Sequence, residues 1–275
     1  MSGETGTTIS SDDQRWHAAC ADLLGSLKRP YIWGRLGWLD VRHRYLGSVL
    51  GSLWLTANVT LMVGCLTLVF AVPLGSAPGA YAAYVTVGLV VWGFVQSTAI
   101  EAPTLFINAA EPLRQCTLPI SIHVFRLIWR NLIVLGHSAV LIPVVLLLFG
   151  IAPAASAWTA IPGFMLLVLA LAAGTLLLAL LGARFRDVPQ MVTSGIQLLF
   201  FATPVFWLPS SLPPDRQWLL QINPLFAFLD IVRAPLLGGT PAASSWTIAA
   251  GVTLALLAVA LAGYAAWRRR IVYWI

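Results

Sequence analysis

Residues 157–181 read AWTAIPGFMLLVLALAAGTLLLALL, a run of 25 positions without a charged side chain. A helix of about 20 apolar residues spans the hydrocarbon core of a bilayer. Inside lipid a single segment must satisfy its own backbone hydrogen bonds, so the run predicts a transmembrane helix. Its residues do not alternate between polar and apolar, as the strands of a transmembrane barrel do. The stretch therefore indicates an all-α integral membrane protein.

The composition of the whole chain agrees with this interpretation. Of 275 residues, 59% are apolar and 9% are charged, against about a quarter charged in soluble domains. This excludes a soluble enzyme. Runs of similar character predict a six-helix transmembrane domain over residues 48–267. The spans are expected at 48–72, 80–103, 129–150, 157–181, 188–208 and 244–267.

Basic residues set the expected orientation. Fourteen of the sixteen lysines and arginines fall on one side of these spans, leaving Arg216 and Arg233 on the other. The positive-inside rule then places both termini in the cytoplasm, with residues 1–27 as a polar tail and 268–275 as a short C-terminal segment. The net charge of +6 thus reflects topology, and no nucleic-acid partner is expected.

Residues 28–47 mix aromatic and aliphatic side chains with charged ones at near-helical spacing. The pattern predicts an amphipathic interface helix lying on the cytoplasmic surface of the membrane. A simple juxtamembrane anchor is the alternative. Residues 104–122 are too polar to span and too apolar for a plain linker, which favours a coupling segment covered by a protein partner. The alternative is a loop folded back on its own bundle.

Residues 209–239, on the outer side, are apolar but interrupted by several prolines. They predict short gate helices that dip into the outer leaflet, sheltered by protein. Asp230 and Arg233 stand three positions apart, so one can neutralise the other on a single helix face. This pair is either a gate element or a structural staple.

The sequence contains no cluster of acids, histidines or cysteines suited to catalysis or metal binding. Its only lysine, Lys28, is not part of a phosphate-binding loop. No catalytic residue, metal site or cofactor is therefore expected in this chain, and an ATPase, if used, is a separate polypeptide. The interface helix and the coupling segment are the expected docking surfaces for it, and the residues we assign to docking are Arg35, Arg42, Arg44, Leu113 and Arg114.

Aromatic residues within the spans have two interpretations. The simpler interpretation is that they pack against lipid. The more specific one is that they line a path for a sugar chain, because apolar sugar faces stack on aromatic rings. The path residues would be Trp54, Phe70, Phe94, Phe200, Phe201 and Phe206. Small residues at Gly47 and Gly51 allow close helix approach, and six helices are few for a wide path, so a homodimer is expected.

Several motifs resemble, in order, the permease subunits of bacterial ABC exporters for O-antigen, capsule and teichoic acid. They are RYLGSVLGSLW (44–54), LRQCTLP (113–119) with HVFR (123–126) and WRN (129–131), RFRD (184–187), TPVF (203–206), and NPL (223–225) with Arg233 and LLG (236–238). Gln115 and Cys116 depart from the Lys-rich, aromatic form of the teichoic-acid and capsule relatives, which favours the O-antigen branch.

The resemblance implies a dimeric channel in the inner membrane, bound to two copies of an ABC ATPase that holds ATP and Mg²⁺. Its cargo would be an undecaprenyl-pyrophosphate-linked polysaccharide. The interface helix and residues 104–122 would contact the ATPase, and residues 209–239 would form periplasmic gate helices. Two rivals remain: a related exporter of another lipid-linked glycan, small lipid or drug, and a membrane-embedded glycosyltransferase or assembly protein of the same pathway.

Overall fold

The structure, a computed structural model, describes residues 11–46, 51, 53–115, 118–152 and 155–275, with the side chains of 11–13, 112, 114 and 115 left out. Within these ranges it contains helices and no strands. The α-helices are α1 Ser11–Leu27, α2 Pro30–Arg44, α3 Leu53–Phe70, α4 Pro78–Glu101, α5 Leu105–Asn108, α6 Ala110–Gln115, α7 Ile122–Ala139, α8 Leu141–Leu148, α9 Ala160–Arg184, α10 Val188–Ala202, α11 Trp218–Ile222, α12 Pro224–Leu236, α13 Ala243–Trp267 and α14 Ile271–Trp274. Short 3₁₀ turns occupy Ala102–Thr104, Ala155–Thr159, Pro209–Ser211, Pro214–Arg216 and Arg268–Arg270.

Proline opens several of these helices. Proline lies in the first turn of α2, α4, α10 and α12, at Pro30, Pro78, Pro189 and Pro224. The backbone N–H groups of a first turn have no acceptor within the helix, so a residue without an N–H costs no hydrogen bond there. Asn223 caps α12, because its side-chain oxygen accepts from the backbone N–H groups of Leu225 (3.0 Å) and Phe226 (3.3 Å). The NPL motif is thus a helix start.

Five described segments are long and apolar enough to cross a membrane: Leu53–Phe70, Pro78–Asn108, Ile122–Leu148, Ala155–Arg184 and Ala243–Trp274. Each overlaps one of the six predicted spans, whose bounds stay a prediction, and residues 48–50 and 52 at the start of the first span lie outside the described residues. The predicted span at 188–208 is shorter than expected. Its helix, α10, has 15 residues, about 22 Å at 1.5 Å per residue.

The early end of α10 has a local cause. Pro204 cannot donate a backbone hydrogen bond, and the residue before a proline is pushed out of the α region. Thr203 has an extended backbone, with ψ of 136°. Residues 203–208 continue from α10 without regular helix.

Residues 214–236 form a bent helix pair. The helices Pro214–Ile222 and Pro224–Leu236 are inclined at 94° to each other, with Asn223 and Pro224 at the corner. The two arms together are apolar enough for a span, but a bend of this size is typical of a re-entrant segment.

One end of the bundle collects segments from the whole chain. The carboxylate of Asp22 in α1 accepts hydrogen bonds from Ser121, before α7, and from Tyr264 near the end of α13. Helix α1, the start of α7 and the end of α13 therefore meet at one end. An even number of crossings separates chain segments at the same end, so either α10 with residues 203–208 or the bent helix pair supplies a sixth passage.

Residues 11–27, expected as part of a polar tail, form helix α1 and pack against α13, α7 and α2. Ala19 on α1 is fully buried against the side chains of the bundle. Helix α2 lies within the range of the expected interface helix and packs against α7. A side chain at Gly37 would come within 2.9 Å of the Trp129 ring, so glycine is required for this contact.

Candidate functional site

An ion-pair cluster joins α2, α4 and α7. Asp40 accepts from Arg126 through two hydrogen bonds, of 2.6 and 2.5 Å, and lies 3.8 Å from Arg130. Glu101 accepts from Arg130 and, at 2.8 Å, from Arg44. Three arginines thus share two acids. We call the end of the bundle that carries this cluster the charged end.

The cluster borders a cavity of about 260 Å³, which is also lined by Thr104, Asn108 and His123. The five charged side chains are between 18% and 43% exposed. At this degree of burial a bidentate arginine–carboxylate pair fixes geometry as well as contributing energy. The cluster therefore holds α2 to the transmembrane helices at a defined position.

The residues assigned to docking have different surroundings. Arg35 and Arg42 on α2 are exposed, whereas Arg44 belongs to the ion-pair cluster. Leu113 is half-buried and packs on the bundle, and the side chain of Arg114 lies outside the described residues. Arg35 and Arg42 are thus the described docking candidates most open to a partner.

The coupling segment covers much of its own apolar surface. Phe106 is 0% exposed and, with Leu105, Leu113 and Ile120, packs against side chains of α9 and α13. Ile107 stays largely exposed. A partner is therefore not needed to cover Phe106 or Leu113, and the sequence-based alternative of a segment folded back on its bundle describes their packing.

A second cavity, of about 380 Å³, lies between α3, α4, α7 and α10. Its wall combines aliphatic side chains with polar ones, namely Arg44, Asn58, Gln96, Ser97, Asn131 and Ser138. The side-chain oxygen of Asn131 and the indole N–H of Trp92 are buried there without a hydrogen-bond partner among the described residues. These two atoms are enclosed by protein, whereas the polar side chains of Asn58 and Gln96 are exposed or partly exposed at the wall, so the cavity is suited to a ligand that carries hydroxyl groups or to ordered water.

Four of the six aromatic residues predicted for the path lie in one cluster. The ring of Phe206 lies 6.0 Å from Phe70, 5.5 Å from Phe200 and 6.2 Å from Phe201, measured between centroids. Phe200 also contacts Trp92 at 5.6 Å. Because Trp92 and Phe200 line the second cavity, the cluster continues the cavity wall away from Arg44.

The other two predicted path residues lie elsewhere. Phe94 is 2% exposed and its ring packs against Phe164 at 5.9 Å, so it mainly contributes to the hydrophobic core. Trp54 is 58% exposed at the start of α3, whereas Phe70 ends the same helix. At 1.5 Å per residue the two positions are about 24 Å apart, so Trp54 does not belong to the cluster.

A buried arginine organises the opposite end of the bundle. Arg233 is 4% exposed, its guanidinium lies 3.7 Å from the centre of the Tyr84 ring, and its Nη1 donates to the Pro204 carbonyl at 2.8 Å. The Tyr84 hydroxyl donates to the Pro204 and Trp207 carbonyls at 3.0 and 3.1 Å. These contacts hold the chain after α10 against α4 and α12.

Asp230 and Arg233 do not pair in the way that their spacing suggests. Asp230 accepts from the Ser245 hydroxyl at 2.7 Å and from the Ala242 N–H at 3.3 Å, whereas Arg233 turns to Pro204. No ion pair joins them in the described part of the chain, since each side chain is directed to a different partner. Their role in a gate stays a prediction.

Sequence reasoning missed Tyr84, Glu101 and Asn131, which are polar residues within predicted apolar spans. Their position inside predicted spans was the available signal, since polar side chains in a membrane commonly have a partner or a function. Which partner each would find depends on helix packing, and spacing along the chain does not reveal it.

Comparison with known proteins agrees with this geometry. Residues 33–237 match the model of the family described as ABC-2 type transporter. The chain is similar to the O-antigen export system permease protein RfbA of Klebsiella pneumoniae, with 27% identity over 206 residues covering 73% of this chain and 78% of that protein. A second protein of that name from K. pneumoniae is 27% identical over 69% of this chain and 74% of its own length. The one from Myxococcus xanthus is 26% identical over 71% and 76%.

The family match covers most of the chain, including α2, the ion-pair cluster, the second cavity and the bent helix pair. The described helices supply several membrane-spanning segments, as a permease requires. The protein therefore belongs to the ABC-2 type transporter family of multi-pass membrane permeases.

Proposed function

We propose that this chain is the channel-forming permease subunit of an exporter that moves undecaprenyl-pyrophosphate-linked O-antigen polysaccharide across the bacterial inner membrane. Two copies would assemble with two copies of a separate ABC ATPase, which binds ATP and Mg²⁺. The names of the relatives from K. pneumoniae and M. xanthus support this assignment.

The observation that carries the proposal is the mixed character of the second cavity and the aromatic cluster beside it. Amide side chains such as Asn58 and Gln96 can bond sugar hydroxyl groups, and the rings of Phe200 and Phe206 can stack on apolar sugar faces. Polar groups within a membrane bundle are costly unless they serve a partner or a pathway. A purely lipid-facing surface would have no use for them.

The exposed surface of α3 supports assembly with a second copy. Val63 is the only buried residue of the helix, which packs on its own chain through α4 and α7. Cavity residues Leu55, Asn58, Val59 and Met62 lie on α3. A second copy facing this helix would enclose a path that one copy leaves open.

ATP-driven movement of the partner would enter at the charged end. Helix α2 is joined to α4 and α7 by the ion-pair cluster, so a push on α2 moves these helices as a unit rather than bending a loop. Small helix shifts of this kind are a common way to open or close a path. Charged side chains Arg35 and Arg42 on the exposed part of α2 would contact the ATPase.

A matched pair of glycine substitutions tests the path. Gly93 lines the second cavity, and a side chain added there meets no described atom within 4 Å; the same holds for Gly251 on α13. Gly93→Phe should fill the cavity, whereas Gly251→Phe should project from the bundle. Both variants should fold and co-purify with the ATPase.

Export is measured as surface O-antigen on gels, in a strain that lacks its own copy of the permease. We expect Gly93→Phe to reduce long-chain O-antigen at least tenfold and Gly251→Phe to leave it near the wild-type level. Equal export by both variants at equal membrane abundance would refute the path. Failure of the wild-type protein to co-purify with any ATPase would refute the assignment as a whole.

A further inference from the structure

A single buried carboxylate connects three distant parts of the chain. Asp22 on α1 is 5% exposed. Its Oδ1 accepts from the Ser121 N–H (3.0 Å), the Ser121 hydroxyl (2.6 Å) and the Tyr264 hydroxyl (2.6 Å). Its Oδ2 accepts from the Ile120 N–H and from Arg268, both at 3.0 Å. The two oxygens thus accept five hydrogen bonds.

The donors come from two parts of the chain, the end of the coupling segment and the end of the last span. Ile120 and Ser121 end the coupling segment and lead directly into α7. Tyr264 and Arg268 lie at the charged end of α13, the last span. Ser26, one turn after Asp22, adds a 2.7 Å hydrogen bond to the Ser121 hydroxyl. Helix α1 therefore packs between the coupling segment and the last span, and Asp22 is the side chain that hydrogen-bonds to both.

The chemistry of this contact requires the ionised form. Burial alone would raise the pKa of Asp22, but hydrogen bonds from Ser121 and Tyr264 and the charge of Arg268 outweigh it and hold the pKa below its ordinary value. A buried carboxylate surrounded by donors has few alternative positions. Hydrogen bonds to a charged group are also about twice as strong as those between neutral groups.

These contacts lie apart from the other polar groups that the transport proposal uses. The ion-pair cluster joins α2, α4 and α7 but does not reach α13. Asp22, Tyr264 and Arg268 also fall outside residues 33–237, the part of the chain that matches the family model. Beside the apolar packing of Phe106 and its neighbours, the polar connection between the last span and the coupling segment therefore depends on three residues that the family match does not include.

We propose that Asp22 is a positioning residue that fastens the coupling segment to the charged end of α13, so that a displacement of the segment by the ATPase also moves the last span. The proposal rests on the proposed function for the source of the displacement. The fastening itself is a property of the permease alone, and the two parts can be tested separately.

The first experiment uses the purified full-length permease in detergent and measures hydrogen exchange of the backbone amides of Ile120 and Ser121. In Asp22→Ala both amides lose their acceptor, and we expect exchange to be about ten- to a hundredfold faster. The control is Cys20→Ala, an exposed position on the same helix, which should leave exchange unchanged. Unchanged exchange in Asp22→Ala would overturn the proposal whatever the permease transports.

The second experiment measures coupling in the complex with the ATPase. Asp22→Ala should retain membrane abundance and co-purified ATPase, yet export at least fivefold less O-antigen per ATP hydrolysed. Asp22→Asn keeps one acceptor oxygen and should be intermediate. If Asp22→Ala does not fold, Tyr264→Phe, which removes one donor and keeps the ring, should show the smaller effect of the same kind.

Two results would overturn the coupling role. One is wild-type export per ATP in Asp22→Ala, and the other is loss of the ATPase from the complex, which would make α1 a docking element instead. A wild-type complex that shows no export would contradict the proposed function, while the exchange result would still decide whether Asp22 fastens the segment.

Discussion

Arg233 offers the sharpest test of how the end opposite the charged end is held together. Its guanidinium stacks 3.7 Å from the centre of the Tyr84 ring and donates to the Pro204 carbonyl at 2.8 Å. Replacement by methionine would remove the charge together with the cost of burying it, and the net effect would be small. Replacement by lysine keeps a buried charge but removes the planar fork. Arg233→Lys is therefore the informative change.

The expected size follows from the two contacts. A desolvated cation–π contact contributes about 2 kcal/mol, and a hydrogen bond from a charged donor about 1.5–3 kcal/mol. A lysine ammonium can face the ring or reach the carbonyl, but its single nitrogen cannot do both in this geometry. Arg233→Lys should thus lower the free energy of unfolding by about 2 kcal/mol.

Tyr84→Phe provides the second side of a double-mutant cycle. It keeps the ring under the guanidinium and removes the hydroxyl group that donates to the Pro204 and Trp207 carbonyls. This should lower the free energy of unfolding by about 1–2 kcal/mol. Because both side chains donate to the same Pro204 carbonyl, the double variant should deviate from additivity by at least about 0.5 kcal/mol.

The assay is reversible unfolding of the purified permease in mixed micelles, followed by tryptophan fluorescence. Arg216→Lys is the matched control, because that arginine is exposed at the same end and should change stability by less than about 0.5 kcal/mol. A loss below that level in Arg233→Lys, or additivity within about 0.3 kcal/mol in the cycle, would refute this account of the segment after α10.

Three further predictions concern the charged end. Gly182→Ala should destabilise the protein by about 1–3 kcal/mol, because the new methyl group would overlap the Pro103 carbonyl; thermal unfolding checks this, and wild-type stability would contradict it. Asp40→Ala should lower the free energy of unfolding by about 2 kcal/mol, because Arg126 loses its bidentate partner. In a protein that already carries Arg126→Ala, Asp40→Ala should cause less than half of that loss. Because the folded-state pKa of Asp22 lies below its ordinary value of 3.8, its contribution to stability is present above that pH and is lost as the pH falls through the lower, folded-state value. Unfolding measured against pH should show this acid-side loss in the wild type and a flatter curve in Asp22→Asn.

The length and hydropathy of the spans were predictable because lipid imposes a strong requirement on every crossing segment. The run at 157–181 contains all but the last three residues of α9, Ala160–Arg184, and the last predicted span, 244–267, coincides with α13, Ala243–Trp267. The length of the helix at 188–208 was overestimated, because hydropathy carries no information on how Pro204 ends a helix. In the coupling segment, apolar content was visible from the sequence, but the burial of Phe106 against the bundle was not.

Aromatic composition predicted the cluster only in part. Phe70, Phe200, Phe201 and Phe206 meet although 130 positions separate the first from the second, and their common role was a hypothesis based on residue type alone. Phe94 has the same chemistry and packs inside the core, because the helical position of a side chain decides which neighbour it meets.

Sequence by itself determined that this protein is a helical membrane protein, and it predicted that the basic residues lie on one side. Those properties follow from the cost of placing polar groups and charges in hydrocarbon, which each segment must meet on its own. Tertiary structure alone decided which polar groups meet: Arg233 with Tyr84 and Pro204 rather than Asp230, and Asp22 with Ser121, Tyr264 and Arg268. Such contacts join residues up to 246 positions apart, and their formation depends on how the helices pack rather than on any local pattern.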